Sequence, residues 1–543
     1  MPILLAAWVA LSTPSAPAGA PLPPPARDPL EAPRLAHISL ALASAERAFD
    51  GAGSRRGEPA AVLGSPPPGR RGGAPAKVGR PPSPAPAALG AARRAALVRR
   101  AKAVLEANRE SFPATTGEAR FTAPDKERYP YQWLWDSSFH AIGLRHYDPA
   151  RAADELRSLL AAQWPNGMIP NMVHARADVL ASRHWKALHE AARERRPGAA
   201  LRALRGAVSL WFQDKLFGAL HNAATRSSGI TQPPIVAEAA VEVSRALAPG
   251  AAAAFLREVY PPLRAYYDWI DRERLRDGLM VIFHSWESGT DNSPRFDPVY
   301  GVDPRRYEET RYNLFKKLPA LLAFKGSGWR SSSRFAVKGV DMNSYYHKNL
   351  LALARVARDA GRPDEGAELE GRARELKGEI IRQLWDPARG AFRDLGLVGG
   401  RWTPLETETP FGFLPLYAGL LDRGDPRVAI LVERLTDPAK FWTAFPVPTV
   451  ALSERSFDPK GYWRGTTWLN VNYFLARGLA EHGYAAESRE LMERSLAMVE
   501  RGGMREYFNP RTGEGYRARQ FSWTAALVIE LDEALRRLAV PGR

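Results

Sequence analysis

Apolar residues recur at three- and four-residue spacing through most of the chain from about Arg93 onward, the pattern of helices that each bury one stripe. Two such stretches, Tyr345 to Asp359 and Pro363 to Leu384, are separated by Gly361-Arg362-Pro363, where glycine ends one helix and proline starts the next. The pattern predicts a helical hairpin. The same plan recurs over Phe139 to Gln163, Leu414 to Leu435 and Asn472 to Val499, each with Gly, Asp or Pro at the break, and a further amphipathic stretch runs from Pro261 to Arg274. Strand-like alternation is scarce, so the expected fold class is all-α, an array of antiparallel helix pairs.

The first ninety residues break this pattern. Residues 1–92 are dominated by Pro, Ala, Gly and Arg, with runs such as Pro23-Pro24-Pro25 and Pro66-Pro67-Pro68, and such a segment buries too little apolar surface to offset its ordering entropy. It is read as a disordered extension, with 93–543 as the folded domain. Its apolar start, Ile3 to Leu11 followed by Ala16-Pro17-Ala18, is similar to a secretory signal but has no preceding Lys or Arg, so export and a cytoplasmic chain with a mis-assigned start both stay open. That apolar run is the longest in the chain and too short for a bilayer, so no membrane span is expected.

Composition removes several chemistries. With no cysteine among 543 residues, disulfides, thiolate nucleophiles and sulfur-ligated zinc are excluded. The ten histidines form no metal-ligand spacing; His184 and His189 lie five apart on an expected helix. Neither a Gly-x-Ser-x-Gly elbow nor a phosphate-binding Gly-Lys-Ser loop is present. The formal net charge of +17 favours an anionic partner, yet its arginines are spread over helix faces, as in Arg193-Glu194-Arg195-Arg196, rather than gathered into a stripe with aromatics, so nucleic-acid binding is not expected. Neither cofactor nor metal is called for.

Chemistry gathers instead in loops that follow the hairpins and are dense in Gly, Pro, aromatics and carboxylates: 164–170, 231–234, 284–294 and 504–515. Repeated elaborate loops at the ends of a regular scaffold suggest one functional face. His284 to Pro294 packs Trp286, Glu287, Gly289 and Asp291 into a stretch of little helix propensity. It reads either as a structural loop whose carboxylates cap helices or pair with arginines, or as a site. Arg505 to Gly515 carries Glu506 ahead of a turn at Asn509-Pro510 and Thr512-Gly513, which would hold that carboxylate at a rim.

Six ordered motifs tip the reading. Tyr129-Pro130-Tyr131-Gln132-Trp133-Leu134-Trp135-Asp136-Ser137, Asn166-Gly167-Met168-Ile169-Pro170, Gln232-Pro233-Pro234, Trp286-Glu287-Ser288-Gly289-Thr290-Asp291-Asn292-Ser293, Tyr462-Trp463-Arg464-Gly465-Thr466-Thr467-Trp468, and Glu506-Tyr507 with Phe521-Ser522-Trp523-Thr524 resemble those of glycoside hydrolase family 63. That family includes processing α-glucosidases and mannosylglycerate and glucosylglycerate hydrolases, with trehalases as clan relatives. The resemblance implies an (α/α)6 barrel and an inverting α-glycosidase acting on a small carbohydrate substrate. By motif position, Asp291 would be the general acid and Glu506 the general base, with Glu287 a negative neighbour that keeps the acid protonated. Tyr129, Trp133, Trp135, Asp136, Gln232, Trp286, Glu287, Gly289, Tyr462, Trp463, Arg464 and Trp468 would line the sugar subsite, indoles packing against the C–H face of a pyranose while fixed polar groups meet its hydroxyls.

The chain departs from the pattern at His284-Ser285-Trp286 and Arg464-Gly465-Thr466-Thr467, which touches substrate fit more than the acid and base. Competing readings are a trehalase-like hydrolase, and a sugar epimerase or a carbohydrate-binding protein on the same toroid. An epimerase would ordinarily use cavity histidines, and a binder needs no acid and base. The sequence leaves the oligomeric state undetermined.

Overall fold

Proline at the first helical position marks one helix start after another. Asp148-Pro149, Ala248-Pro249, Arg362-Pro363 and Asp425-Pro426 each open a helix in the computed structural model, and the Asp148 and Asp425 side chains accept a backbone N–H from Arg151 and Arg427, at 3.1 and 2.9 Å. The missing proline N–H costs nothing there, because a helix's first amides have no intrahelical partner. The structure describes residues 85–114, 117–173, 221–222, 227–303, 307 and 335–539, all within one compact unit. Segment 1–84 and the expected helix carrying His184, His189 and Arg193 to Arg196 lie outside the described residues.

The helices are α1 (Ala91–Ala107), α2 (Leu134–Leu144), α3 (Pro149–Leu160), α4 (Val236–Ser244), α5 (Pro249–Arg274), α6 (Val340–Asp359), α7 (Pro363–Leu384), α8 (Leu414–Ala418), α9 (Pro426–Leu435), α10 (Leu469–Glu481), α11 (Ala485–Gly502) and α12 (Ser522–Ala539). Three of the four predicted hairpins are present as packed pairs, α2–α3, α6–α7 and α10–α11, whereas over Leu414 to Leu435 a five-residue α8 is followed by α9, which packs on the Pro410–Phe413 turn instead of along α8.

Burial divides these helices into two kinds. Every residue of α2 is buried, and α10 is enclosed along most of its length, whereas α7 buries only a stripe through Leu369, Ala373, Leu376, Ile380 and Leu384. The enclosed helices contact one another in succession, α2 with α4, α4 with α6, α6 with α8, α8 with α10, α10 with α12, and α12 with α2. The amphipathic partners pack outside them, α1 on α12, α3 on α2, α5 on α4, α7 on α6 and α11 on α10.

Two features depart from expectation. Helix α5 begins at Pro249, not Pro261, and runs through Pro261-Pro262. An interior proline costs about 3 kcal/mol or more, but the apolar face of Phe255, Leu256, Val259, Tyr260, Leu263, Tyr266 and Ile270 continues across the break and its burial offsets that loss. The helix-rich scaffold also carries short antiparallel ribbons. Arg109–Ala114 pairs with Gly117–Thr122, anchored by Phe112 against Phe121 at 5.7 Å, and Tyr507–Phe508 pairs with Gly515–Tyr516. No described helix is long and apolar enough to cross a membrane.

Candidate active site

The start of α2 forms one wall. The strand Gln132–Trp133 pairs with Met172–Val173, the Leu134 amide donates to the Asn171 carbonyl at 3.1 Å, and the Trp135 amide donates to Gln232 Oε1 at 3.4 Å. These bonds tie the segments that follow the 166–170 motif and hold Gln232 to one helix terminus. Asp136 sits in its first turn, 4% exposed. Burial first, and then the nearby charges of Glu506, Glu155 and Asp291, hold its carboxyl well above the usual range, against a pull from its own backbone amide.

The 284–294 segment forms a second wall. His284 caps a 3-10 turn over Ser285–Ser288, accepting the Trp286 amide at 3.1 Å, and Gly289 closes the turn at φ 70°. A Cβ at Gly289 would lie 2.4 Å from the Trp135 indole. Gly289→Ala therefore meets both a left-handed backbone and an aromatic clash. It is expected to destabilise the protein by about 2–4 kcal/mol and to displace Trp135, checked by denaturant unfolding together with tryptophan fluorescence.

Glu287 is not a bare negative neighbour of Asp291. It is fully enclosed, its Oε1 accepts from Arg274 at 2.9 Å and from the Thr231 amide at 3.4 Å, and its Oε2 accepts from the Phe283 amide at 2.8 Å. A carboxylate deprived of water has to be paired and hydrogen-bonded, and Glu287 spends its oxygens pinning the base of the loop rather than on a substrate. Asp291, at the tip, is only partly buried.

The Tyr462 to Trp468 segment bridges this loop to the opposite end of the chain. Asn292, next to Asp291, accepts the Trp463 amide at 2.9 Å and donates to the Gly461 carbonyl at 3.3 Å. Arg464 grips Asp297 through two bonds of 3.0 and 2.7 Å and donates to the Asn292 carbonyl at 3.1 Å. At the far end, Thr467 and Phe508 exchange backbone bonds of 2.8 and 2.9 Å, two residues beyond Glu506. The 462–468 segment, hydrogen-bonded to Asn292 at one end and to Phe508 at the other, thus connects the Asp291 loop with the Glu506 strand.

The aromatic residues expected to line a subsite separate by exposure. Trp468 is sandwiched between Trp463, stacked at 3.8 Å, and Tyr507, stacked at 5.0 Å, and its Nε1 donates to Thr466 Oγ1 at 2.9 Å. Trp463 is equally enclosed. These two indoles are the packed interior of the bridge, because their faces are taken by other rings, and Arg464 is likewise turned inward onto Asp297. Trp135 is buried edge-on against Trp523. Tyr129, Trp133, Trp286 and Tyr462 keep exposed surface.

Glu506 follows α11 and precedes the Tyr507–Phe508 ribbon. The predicted turn is present, with Asn509 Oδ1 accepting the Arg511 and Thr512 amides at 2.9 and 3.2 Å. The carboxylate is not at a rim, however, but 1% exposed. Tyr129 Oη donates to both its oxygens at 3.0 and 3.2 Å, and Arg517 stands 3.9 Å away. Burial pushes its pKa up to about 7, opposed by Arg517 and the Tyr129 hydrogen bond. Asp291 and Glu506 both act on Tyr462 as they do on Asp136, so the two carboxylates share one electrostatic neighbourhood.

The raised value has a stability signature. A carboxyl whose folded pKa exceeds its unfolded one contributes stability that is complete below about pH 4.5 and is lost as pH rises to about 7. Glu506→Gln is therefore expected to be more stable than the parent above pH 7, by up to about 3 kcal/mol, with the difference vanishing below about pH 4.5. Unfolding curves at pH 4.5 and 8 check this.

Asn292, Arg274 and Arg517 were not singled out from sequence as site residues. Asn292 adjoins Asp291 within the quoted motif, but no spacing signal marks Arg274 or Arg517. Among the described residues no group of three or more His, Asp or Glu side chains is suited to a metal.

Paired carboxylates among indoles on a helix-rich scaffold are the equipment of a carbohydrate-cleaving enzyme, and comparison with known proteins bears this out. Residues 129–524 match the model of the mannosylglycerate hydrolase MGH1-like glycoside hydrolase domain. The chain belongs to this group within glycoside hydrolase family 63 and is a glycoside hydrolase. It is 34% identical to the mannosylglycerate hydrolase of Thermus thermophilus over 445 residues, 75% of this chain and 96% of that protein, and 32% identical to the mannosylglycerate hydrolase of Rubrobacter radiotolerans over 80% and 96%. The crystal structure of a family 63 mannosylglycerate hydrolase from Thermus thermophilus in complex with Tris and D-glycerate matches with a TM-score of 0.62 at 31% identity, over 80% of this chain and 99% of that one.

Proposed function

We propose that this chain is an inverting α-glycosidase of small α-mannosides or α-glucosides carrying a glycerate-like aglycone, with residues 93–543 as an (α/α)6 catalytic domain. The closed succession of contacts from α2 through α4, α6, α8, α10 and α12 supports the barrel. The observation that carries the chemistry is the hydrogen-bonded bridge from Asn292 through Trp463, Arg464 and Thr467 to Phe508, which couples the Asp291 loop to the Glu506 strand. Asp291 protonates the departing glycosidic oxygen, and Glu506 removes a proton from water attacking the anomeric carbon from the other side. That division of labour requires carboxyl groups about 6.5–9.5 Å apart, leaving room for the water.

Tyr129 holds the base in position. Trp133, Trp286 and Tyr462 offer aromatic surface to the sugar, and Asp136 accepts from its hydroxyls. Trp135, Gln232, Gly289, Trp463, Arg464 and Trp468 shape the cavity from behind. The names of the relatives and the D-glycerate bound by the Thermus protein support the aglycone. The test is release of sugar from a panel of α-mannosylglycerate, α-glucosylglycerate, trehalose and an α-glucosyl oligosaccharide. Turnover of the two glycerate glycosides is expected, and preference for trehalose would overturn the reading.

A further inference from the structure

Arginines cluster around the site, and most of those described there are already engaged. Arg274 is enclosed against Glu287, Arg295 lies between Asp341 and Asp394, and Arg464 is locked onto Asp297. Each of these guanidiniums is buried and matched to a carboxylate, so none can meet a ligand without stranding its partner. Arg517 differs. Its side chain keeps 34% exposure and stands 3.9 Å from Glu506, beyond hydrogen-bond reach. Its one side-chain hydrogen bond among the described residues goes to Tyr129 Oη at 3.3 Å, and its guanidinium lies over the Tyr462 ring at 4.5 Å. A guanidinium has five N–H donors in a planar fork, so most of its capacity is in reserve.

The backbone makes Arg517 more pointed. It takes φ 61°, the left-handed region where glycine is the unstrained choice, and it stands just beyond the ribbon that follows Glu506. A bulky residue held in that conformation beside a site is strain maintained against an easy alternative, which motivates a search for what its side chain does. The electrostatics supply a use. Glu506 must be ionised to act as the base, so a substrate bearing its own carboxylate enters against that like charge. A fixed cation with an exposed edge, backed by the Tyr462 ring and tethered to the Tyr129 hydroxyl, relieves that repulsion and presents a bidentate fork to a planar carboxylate.

We infer that Arg517 is the residue that selects substrates with an anionic aglycone, a short hydroxy acid whose carboxylate its guanidinium receives at the mouth of the pocket. This rests on the reading of Asp291 and Glu506 as the catalytic pair, and deepens it by assigning the charge preference to one side chain. Because Arg517 also faces Glu506, its replacement alters the base as well, and total activity alone is uninformative. The informative quantity is the ratio of kcat/KM for two matched substrates, α-mannosylglycerate and the uncharged α-mannosylglycerol, measured for each variant on the alkaline plateau of its own pH profile, because losing Arg517 raises the pKa of Glu506 further.

The parent enzyme is expected to favour the charged substrate. Arg517→Gln should lower that ratio by roughly 10- to 100-fold, the loss of a charge-assisted hydrogen-bonded pair, and Arg517→Lys should keep an intermediate ratio. Arg517→Gly removes the side chain while relieving the left-handed backbone, so it guards against a folding defect and should show the same collapse as Arg517→Gln. If the two substrates lose activity in equal proportion and the ratio stays put, Arg517 only positions Tyr129 and Glu506, and the inference is wrong. If the parent cleaves the uncharged partner as well as the charged one, there is no charge preference to assign, and the inference falls although the glycosidase reading survives. Failure to cleave either substrate, or the matched α-glucosyl pair, sinks the reading of a glycerate-glycoside hydrolase and this inference with it.

Discussion

Asp291→Asn and Glu506→Gln are each expected to lower kcat by roughly 10³- to 10⁴-fold, at the upper end of what one positioned acid or base supplies. Both are nearly isosteric and leave the hydrogen-bonded bridge intact, so sugar affinity should change little and the loss should fall on kcat rather than on binding. The two variants should differ with the leaving group. An activated aryl glycoside needs little protonation, so it should recover turnover with Asp291→Asn, whereas Glu506→Gln still lacks a group to deprotonate water. Steady-state kinetics on an ordinary and an activated substrate check this. Recovery in Glu506→Gln but not in Asp291→Asn would exchange the two roles.

Arg464→Met is the second large effect, and it falls on the scaffold. The guanidinium fills a site where Asp297 is fully buried, and removing it takes away a charged partner that makes two hydrogen bonds to that carboxylate. Breaking a buried pair from one side costs about 3–5 kcal/mol. Adding Asp297→Asn should recover a large part of the loss, because the less compensated charge dominates the cost, and a double-mutant cycle by denaturant unfolding measures the coupling. Activity should fall as well, since Arg464 also holds the Asn292 carbonyl beside Asp291. A variant that keeps full stability would mean that Asp297 finds another partner.

The helix pairs were legible because their signals are local. Gly361-Arg362-Pro363 and Asp425-Pro426 fix helix ends through backbone geometry that needs no tertiary partner, and the apolar stripes of α7 and α11 follow from one-sided burial. Helix α5 was read short because Pro261-Pro262 is a strong local stop, overridden by an apolar face visible only once Tyr266 and Ile270 have something to pack against. The ribbon of Arg109–Ala114 was missed because its cohesion comes from Phe112 meeting Phe121 and neighbours across the fold.

The site was legible as a set of motifs but not as a division of labour. Trp468 and Trp133 are the same residue type in similar loops, yet one is stacked between two rings and the other keeps exposed surface. Likewise the expectation for Glu287 depended on whether its charge had a partner, and Arg274 lies in a different helix with no motif of its own. Arg517 gave no signal at all, since a left-handed arginine cannot be told from an ordinary one by spacing.

The claim on which the account turns is that water, activated by Glu506, attacks on the face of the sugar opposite to the bond that Asp291 helps to break. Proton NMR of the sugar released in the first minutes from α-mannosylglycerate reads this directly, before mutarotation mixes the anomers. β-Mannose is expected to appear first, with the α-anomer growing in afterwards. Initial release of α-mannose would mean retention through a covalent intermediate and would contradict that claim.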